Sequence, residues 1–229
     1  MTEKITFENI RFCYGEVCAI NNANFDIKKN GITAFVGPNG GGKSTLVKLL
    51  VGLLKPSLGK IKLWENAVIG YVPQVVPFDT SFPATVRELV LMGTQSNKIA
   101  PFKYYSKKDK QTADEAIQEL SLQGLEQREI SQLSLGQLKR TLIARALASK
   151  ADILVLDEPD ESLDINTTRD LYEIISRLKK DKTIIIVSHR IADVLEFADS
   201  ALYIRGTAKL YDNPKELKEI LLKDGIFGL

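Results

Sequence analysis

Several residue types that build functional sites are scarce in this sequence. Its 229 residues include one histidine, two cysteines and one tryptophan. A single histidine excludes a His-rich metal site on this chain. Cys13 and Cys18 fit neither a disulfide framework nor a zinc site. We therefore expect both cysteines to be reduced thiols that serve as packing residues in a cytosolic protein.

Long apolar runs and an excess of charge are also missing. No run reaches the roughly 20 apolar residues of a membrane span, and residues 1–4 lack the apolar core of a signal peptide. We expect a soluble chain that stays where it is made, with any membrane-spanning part in another subunit. The 31 basic and 29 acidic residues leave a net charge of +2, which by itself favours neither nucleic acid nor a membrane as partner.

Glycine, in contrast, is concentrated in one stretch between an apolar strand-like segment and a helix-like one. The spacing Gly37-x-x-x-x-Gly42-Lys43-Ser44 fits the phosphate-binding P-loop. Backbone N–H groups of such a loop, together with the helix N-terminus, cradle phosphates, while the lysine neutralises them and the hydroxyl ligates Mg²⁺. A turn that binds nothing is the alternative, and the complete spacing argues against it. The predicted nucleotide-binding residues here are Gly37, Pro38, Asn39, Gly40, Gly41, Gly42, Lys43, Ser44 and Thr45.

The apolar pattern predicts strands and helices in alternation, which is typical of an α/β fold. We expect strands at 4–12, 23–27, 32–36, 61–64, 68–72, 153–156, 183–187, 201–204 and 208–211. We expect helices at 85–92, after a capping box at Ser106, at 137–149, after an N-cap at Asp164, at 191–197 and at 214–222. Residues 77–137 change in character and are interpreted as a helical subdomain inserted between two αβ halves.

Two carboxylates, Asp157 and Glu158, follow the apolar run 153–156, which is typical of a parallel strand buried on both faces. Beside a P-loop, Asp157 can hold the Mg²⁺ shell and Glu158 can accept a proton from an attacking water. The alternative is a solvated strand end or a cap for the next helix, but Pro159 argues against simple helix continuation.

An ordered set of short motifs resembles the ATP-binding subunit of an ABC transporter over nearly the whole chain. The motifs are the P-loop, Tyr71-Val72-Pro73-Gln74, Leu133-Ser134-Leu135-Gly136-Gln137, Leu154-Val155-Leu156-Asp157-Glu158-Pro159, Ser162-Leu163-Asp164 and Ser188-His189. The resemblance implies a P-loop NTPase fold with a mostly parallel core sheet, an N-terminal antiparallel β subdomain and an inserted α-helical subdomain. It implies one domain over 1–229, with 1–76 and 138–229 forming the core and β subdomain and 77–137 the helical subdomain.

The resemblance also implies roles for single residues. Tyr14 matches the aromatic residue that stacks on adenine, and a turn tyrosine is the alternative. Gln74 matches the glutamine that reaches Mg²⁺ or the attacking water, and an ordinary loop glutamine is the alternative. His189 matches the histidine that contacts the γ-phosphate, and a structural or surface histidine is the alternative. Two further segments face a partner subunit in the family: the signature segment, Ser134, Leu135, Gly136 and Gln137, and the D-loop, Ser162, Leu163 and Asp164.

Three positions depart from the family pattern. Leu135 replaces the first glycine of the usual signature, where its bulk and restricted φ would alter closure. Glu161 stands where many relatives have serine. Gly41 fills a P-loop position that is more often alanine or serine, and we expect no harm from it. These departures concern the turnover rate more than ATP binding.

Within the family, the chain resembles the zinc and manganese uptake branch in 59–74, 79–86 and 101–116. The resemblance implies ATP and Mg²⁺ as cofactors and a homodimer on ATP binding. It also implies multi-span permease subunits, a separate extracytoplasmic solute-binding protein and a peripheral place on the cytoplasmic face of the membrane. Alternatives are a soluble ABC-type ATPase of iron–sulfur assembly or DNA repair, a low-turnover regulatory module and an efflux ATPase.

Residues 98–110, with five lysines and Phe102, Tyr104 and Tyr105, could form a nucleic-acid patch, but a solvated loop is favoured and no nucleic acid is expected.

Overall fold

The computed structural model describes residues 3–75, 83–95 and 105–223. Its strands are β1 (Lys4–Tyr14), β2 (Val17–Lys28), β3 (Gly31–Val36), β4 (Leu58–Lys62), β5 (Ile69–Val72), β6 (Ile153–Asp157), β7 (Thr183–Val187), β8 (Ser200–Arg205) and β9 (Thr207–Tyr211). Its α-helices are α1 (Lys43–Leu50), α2 (Val86–Gly93), α3 (Lys107–Glu119), α4 (Leu135–Ala148), α5 (Ile165–Leu178), α6 (Ile191–Phe197) and α7 (Pro214–Lys223). None of the helices in these ranges is both long and apolar enough to cross a membrane.

The central layer is a six-stranded sheet in the order β5-β6-β7-β3-β8-β9. Its pairs are parallel except for the final β8–β9 hairpin. Every residue of β6 and β7 is buried, which explains why both segments are continuous apolar runs rather than alternating ones. A second, antiparallel sheet has the order β2-β1-β4. The predicted fold class, a mostly parallel P-loop core with an N-terminal antiparallel β subdomain, is confirmed.

The helices α2 and α3 pack against α4 on one side of the core. Capping boxes begin both: Thr85 with Glu88 for α2, and Ser106 with Asp109 for α3. Such a box satisfies backbone N–H groups that a helix start leaves free. Helix α4 also contacts β5, β6 and α5, so it continues from this helical layer into the core.

The N-terminal hairpin differs from the prediction. Strand β2 begins at Val17 instead of residue 23, because bulges around Asn9 and Asn22, both at positive φ, break the expected alternation. The longer hairpin places Cys13 directly opposite Cys18, and the two are joined by a disulfide. The prediction of two reduced thiols is therefore wrong. Linear spacing alone did not reveal that a tight turn brings the two residues face to face.

Two predicted features lie partly or wholly outside the described residues. The 79–82 part of the metal-uptake pattern is outside, as are Phe102 and Tyr104 of the aromatic and basic stretch. Tyr105 is half-buried and packs on the main hydrophobic core. Three of the five lysines of that stretch belong to α3 or its first turn: Lys107, Lys108 and Lys110.

Candidate functional site

The P-loop joins the end of β3 to the start of α1 at the centre of the sheet. Gly37 has φ 150°, and a Cβ there would come 2.1 Å from the Ile204 carbonyl oxygen. Gly42 has φ 106°, and a Cβ there would come 2.6 Å from the Ala19 carbonyl oxygen. Because the backbone of both neighbours would have to move, only glycine fits. Gly42 is the N-cap of α1 and provides no capping side chain, so the first N–H groups of the helix remain for a ligand.

The side chain of Lys43 folds back over the loop. Its Nζ donates to the Gly37 carbonyl at 2.8 Å and to the Pro38 carbonyl at 3.0 Å. The residue is 5% exposed, and this burial lowers the pKa of Lys43. Glu158 and Asp157 oppose that change in pKa by favouring the ammonium form. A bound phosphate would do the same, so the buried ammonium is suited to an anionic ligand.

Asp157, the last residue of β6, has a carboxylate with one oxygen engaged and one not. Its Oδ2 accepts a hydrogen bond from the Tyr71 hydroxyl at 3.4 Å, whereas its buried Oδ1 has no partner in the structure. Burial, and then the neighbouring charge of Glu158, raise the pKa of Asp157. Burial and Asp157 together raise the pKa of Tyr71 to about 12. A buried carboxylate oxygen without a partner is suited to bind a cation, because the cation would offset the cost of burying the negative charge of the carboxylate.

Glu158 is held from both sides at the cleft floor. Its Oε2 accepts from Gln74 Nε2 at 2.8 Å, and its Oε1 pairs with His189 Nε2 at 2.7 Å. Its backbone lies at φ 51°, an uncommon conformation for a residue with a side chain, and its N–H donates to the Val187 carbonyl at 2.9 Å. Lys139 Nζ donates to the Glu158 carbonyl at 3.2 Å from within α4. The residue is 6% exposed, so a nearly buried base lines the cleft.

An open cleft of about 600 Å³ joins these parts. The predicted residues that line it are Tyr14, Asn39, Gly40, Gly42, Lys43, Ser44, Thr45, Gln74, Glu158 and His189. Gly37, Pro38, Gly41 and Asp157 are not part of the lining. Sequence reasoning missed Val17, Cys18 and Ala19, which line the cleft from β2. Gly15, at φ 58° in the turn between β1 and β2, sets these residues beside Tyr14.

The signature segment and D-loop lie elsewhere, and none of their residues lines this cleft. Ser134 and Gln137 form a capping box at the start of α4, with bonds of 3.0 and 3.3 Å. A Cβ on Gly136 would come 2.6 Å from the Thr167 Cγ2 atom on α5. Asp164 caps α5 by accepting from the N–H groups of Asn166 and Thr167, each at 3.0 Å.

The backbone of Leu135 differs from the expectation that a restricted φ would matter there. Leu135 is the first residue of α4 and does not have a positive φ, so the restricted φ of a leucine carries no cost there. Its side chain is 41% exposed. Only the bulk of Leu135 on an exposed helix start therefore distinguishes it from glycine.

A polar network that joins Ser188 to the D-loop was not predicted, although Ser188 and Leu163 belong to predicted motifs. Ser188 Oγ donates to the buried Asp160 Oδ2 at 2.7 Å and accepts from the Arg190 N–H at 2.9 Å. The Arg190 guanidinium donates to Thr168 Oγ1 at 2.6 Å and to the Leu163 carbonyl at 3.2 Å. The chain after His189 is thereby tied to the D-loop. No local sequence signal marks this network, because its members come from three separate segments.

Comparisons with known proteins agree with this arrangement. The ABC transporter family matches residues 20–161. The zinc import ATP-binding protein ZnuC of Rickettsia bellii is 35% identical over 204 residues, covering 88% of this chain and 83% of ZnuC. The manganese transport system ATP-binding protein MntB of Listeria monocytogenes is 35% identical over 204 residues, covering 86% of this chain and 85% of MntB.

Solved structures show the same similarity. A proposed metal-chelate type ABC transporter in an inward-facing conformation is 32% identical, with a TM-score of 0.86 over 97% of this chain and 88% of that chain. The dimeric structure of the bacterial ABC transporter cassette MJ0796 is 26% identical, with a TM-score of 0.73 over 90% of this chain and 97% of that chain. The chain belongs to the ABC transporter family, as one of its ATP-binding and ATP-hydrolysing cassettes.

Proposed function

We propose that two copies of this chain enclose two ATP molecules and that hydrolysis of the ATP powers the uptake of a divalent metal. The observation that carries the proposal is that no residue of the signature segment lines the cleft of its own chain. The cleft holds the P-loop, Gln74, Glu158 and His189, while the signature segment stands on the exposed start of α4. A head-to-tail second copy would bring that helix start to the γ-phosphate.

Each cleft residue has a defined task in this proposal. Tyr14, which is 53% exposed at the cleft mouth, stacks on the adenine. The P-loop and Lys43 hold the phosphates. Ser44, Gln74 and Asp157 would hold Mg²⁺, which when bound neutralises developing charge on the phosphate oxygens. The unpartnered Oδ1 of Asp157 supports this assignment.

Glu158 acts as the general base in the chemical step. Its carboxylate takes a proton from the attacking water while the water oxygen bonds to the γ-phosphorus and the bond to the leaving ADP oxygen breaks. Gln74 and His189 each hold one carboxylate oxygen, at 2.8 and 2.7 Å, so they orient the base as well as contacting the nucleotide. Loss of the γ-phosphate then removes the charge that drew the partner's helix start into place, and the dimer reopens.

Motion would reach the membrane through a second cleft, of about 920 Å³, between β5 and the α2–α4 layer. Its lining includes the apolar residues Leu53, Val75 and Met92, which are 64%, 77% and 44% exposed. Pro73 lines it too, next to Gln74 of the nucleotide cleft. We assign this surface to an apolar cytoplasmic segment of the permease, because it is continuous with the residue that contacts Glu158.

The cargo and the remaining partners follow from the relatives. The two transport subunits compared above serve zinc and manganese, and this chain aligns with both over most of its length. We therefore assign it to a zinc or manganese importer at the cytoplasmic face of the membrane, with cargo selection by a separate solute-binding protein and the permease. The proposed division places 1–76 and 138–229 in the core and β subdomain and 77–137 in the helical subdomain.

The test of the function uses the complex isolated from native membrane and reconstituted in vesicles. We expect ATP hydrolysis to rise when the matching solute-binding protein is supplied with zinc or manganese, and metal to accumulate in parallel. A Met92→Asp variant should lose the permease on purification while the isolated chain still binds ATP. DNA-dependent hydrolysis without a membrane partner, or metal export, would contradict the proposal.

We expect Leu135→Gly to raise the ATPase rate of the assembled complex by up to about tenfold, which is about 1.4 kcal/mol in the barrier. A smaller first residue allows the partner's phosphate to approach the N-terminus of α4 more closely. ATP affinity of the isolated chain should not change, because Leu135 lies outside its own cleft. Leu222→Gly, the same change at an exposed leucine of α7 that lines neither cleft, is the matched control. An unchanged rate in Leu135→Gly would show that the bulk of Leu135 does not limit closure.

A further inference from the structure

The Cys13–Cys18 disulfide belongs to one wall of the nucleotide cleft. Cys18 lines the cleft, and Cys13 directly precedes Tyr14. The bond closes the end of the β1–β2 hairpin, where Tyr14 pairs with Val17, and both of these residues also line the cleft. The cross-link therefore fixes the part of the chain that we assign to the nucleotide base.

The two sulfurs lie at an exposed hairpin end, and they are not equivalent. Cys13 and Cys18 are each half-buried in an exposed hairpin end. The Arg11 guanidinium donates to Cys18 Sγ at 3.6 Å. A neighbouring guanidinium favours thiolate over thiol, and a stabilised thiolate is the better leaving group in exchange reactions. Cys18 is thus the sulfur that leaves, and Cys13 is the sulfur that is attacked.

We propose that Cys13 and Cys18 form a thiol–disulfide exchange site that adjusts the affinity of the chain for ATP. The proposal rests on the proposed function at one point, the stacking of Tyr14 on the base. Disulfides that persist in a reducing compartment are rare, and those that occur there are commonly reversible. At the cytoplasmic face of a membrane, this bond would respond to the thiol redox state of the cell.

The exchange reaction balances with a cellular dithiol as reductant. One thiolate of the dithiol attacks Cys13 Sγ, the bond between the two cysteines breaks, and its electron pair leaves on Cys18 Sγ, which takes a proton. The mixed disulfide now joins Cys13 Sγ to the first sulfur of the dithiol. The second thiolate of the dithiol attacks that first sulfur and releases Cys13 as a thiolate, which is also protonated. The dithiol becomes a disulfide, and the cysteine pair gains two electrons and two protons. A low-molecular-weight disulfide such as glutathione disulfide carries out the reverse.

Reduction would loosen the base-binding wall but spare the phosphate site. Without the cross-link, the turn between Tyr14 and Val17 is held by the backbone ladder and by the edge contact of Tyr14 with Phe12, whose ring centroids lie 4.9 Å apart. Holding an exposed ring for stacking then costs conformational entropy that the disulfide had removed. The P-loop lies between β3 and α1, and Lys43 is held there by the carbonyls of Gly37 and Pro38, which are not part of the hairpin end.

The experiment uses the full chain equilibrated in glutathione buffers of graded ratio. Since Cys13 and Cys18 are the only cysteines, a colorimetric thiol count reports this one bond. We expect ATP affinity to fall about threefold to tenfold on reduction, because the freed Tyr14 side chain must then be ordered when the base binds. Affinity for inorganic tripolyphosphate, which has no base to stack, should not change.

Two sets of variants isolate the cause. The double variant Cys13→Ser, Cys18→Ser should show the affinity of the reduced chain in every buffer. Arg11→Gln should slow reduction by dithiothreitol about threefold or more, and Arg11→Lys should restore part of the rate. A pair that stays reduced in excess glutathione disulfide overturns the proposal. Equal ATP affinity in both states overturns it as well, provided that Tyr14→Ala weakens ATP binding. A Tyr14→Ala variant with intact ATP affinity would instead refute the stacking role in the proposed function.

Discussion

Replacement of Glu158 by glutamine should lower the rate of ATP hydrolysis by about 10²–10⁴-fold, the usual contribution of a general base. The substitution keeps the size of the side chain and can still hydrogen bond with Gln74 and His189, but it removes the group that accepts the proton. ATP affinity should be retained, because the P-loop and Lys43 are unchanged. The measurements are single-turnover hydrolysis and equilibrium ATP binding on the same preparation.

Glu161→Gln is the matched control for this variant. Glu161 also accepts from Gln74 Nε2, at 3.3 Å, but its side chain is exposed and it does not line the cleft. Its amide variant should hydrolyse ATP within about fivefold of the parent rate, since a hydrogen bond of this kind contributes about 1 kcal/mol. Near-normal turnover in Glu158→Gln, or an equal loss in both variants, would refute the assignment of Glu158 as the base.

The retention of ATP without hydrolysis has a structural consequence that can be measured separately. If two copies close on ATP, Glu158→Gln should accumulate as an ATP-dependent dimer in size-exclusion chromatography with light scattering. The parent chain would reopen after each turnover. A variant that binds ATP and stays monomeric would contradict the two-copy site while leaving the role of the P-loop intact.

The parts that sequence predicted best are those whose signal is local. The loop from Gly37 to Thr45 needs a fixed spacing of glycine, lysine and hydroxyl residues, and that spacing can be read directly from the sequence. The continuous apolar runs of β6 and β7 follow from burial on both faces of a parallel sheet. The caps at Ser106 and Asp164 each depend on residues at most three positions away.

The parts that sequence missed depend on contacts between distant segments. The start of β2 was not predicted, because asparagines at positive φ interrupt the alternation of apolar and polar residues that indicates a strand. The disulfide depended on that same hairpin register. The network of Asp160, Ser188 and Arg190 joins segments that only the folded sheet brings together. Glu158 was predicted as a base. Its contacts with Gln74 and His189, its positive φ and the hydrogen bond from Lys139 could be seen only in the folded structure.

Replacement of Lys43 by alanine should weaken ATP binding by about 100-fold or more. A charge-assisted hydrogen bond contributes about 1.5–3 kcal/mol, and the lysine can reach more than one phosphate oxygen. The buried ammonium is the cationic side chain that lines the cleft beside the P-loop backbone, and its loss leaves the nearby carboxylates Asp157 and Glu158 to repel the nucleotide. Isothermal titration with ATP and a non-hydrolysable analogue measures the change.

Lys55→Ala is the control, because Lys55 is an exposed lysine after α1 that does not line the cleft. The thermal midpoint must be recorded for both variants, since Lys43 also donates to the carbonyls of Gly37 and Pro38 and its removal leaves those acceptors to solvent. A folded Lys43→Ala chain that retains ATP affinity would refute the phosphate-binding role. A folded chain that loses ATP but still closes as a dimer with other anions would instead show that the charge on the helix start, and not the lysine, drives association. ATP affinity and dimer closure of Lys43→Ala together distinguish the contribution of the Lys43 charge from that of the backbone N–H groups of the loop.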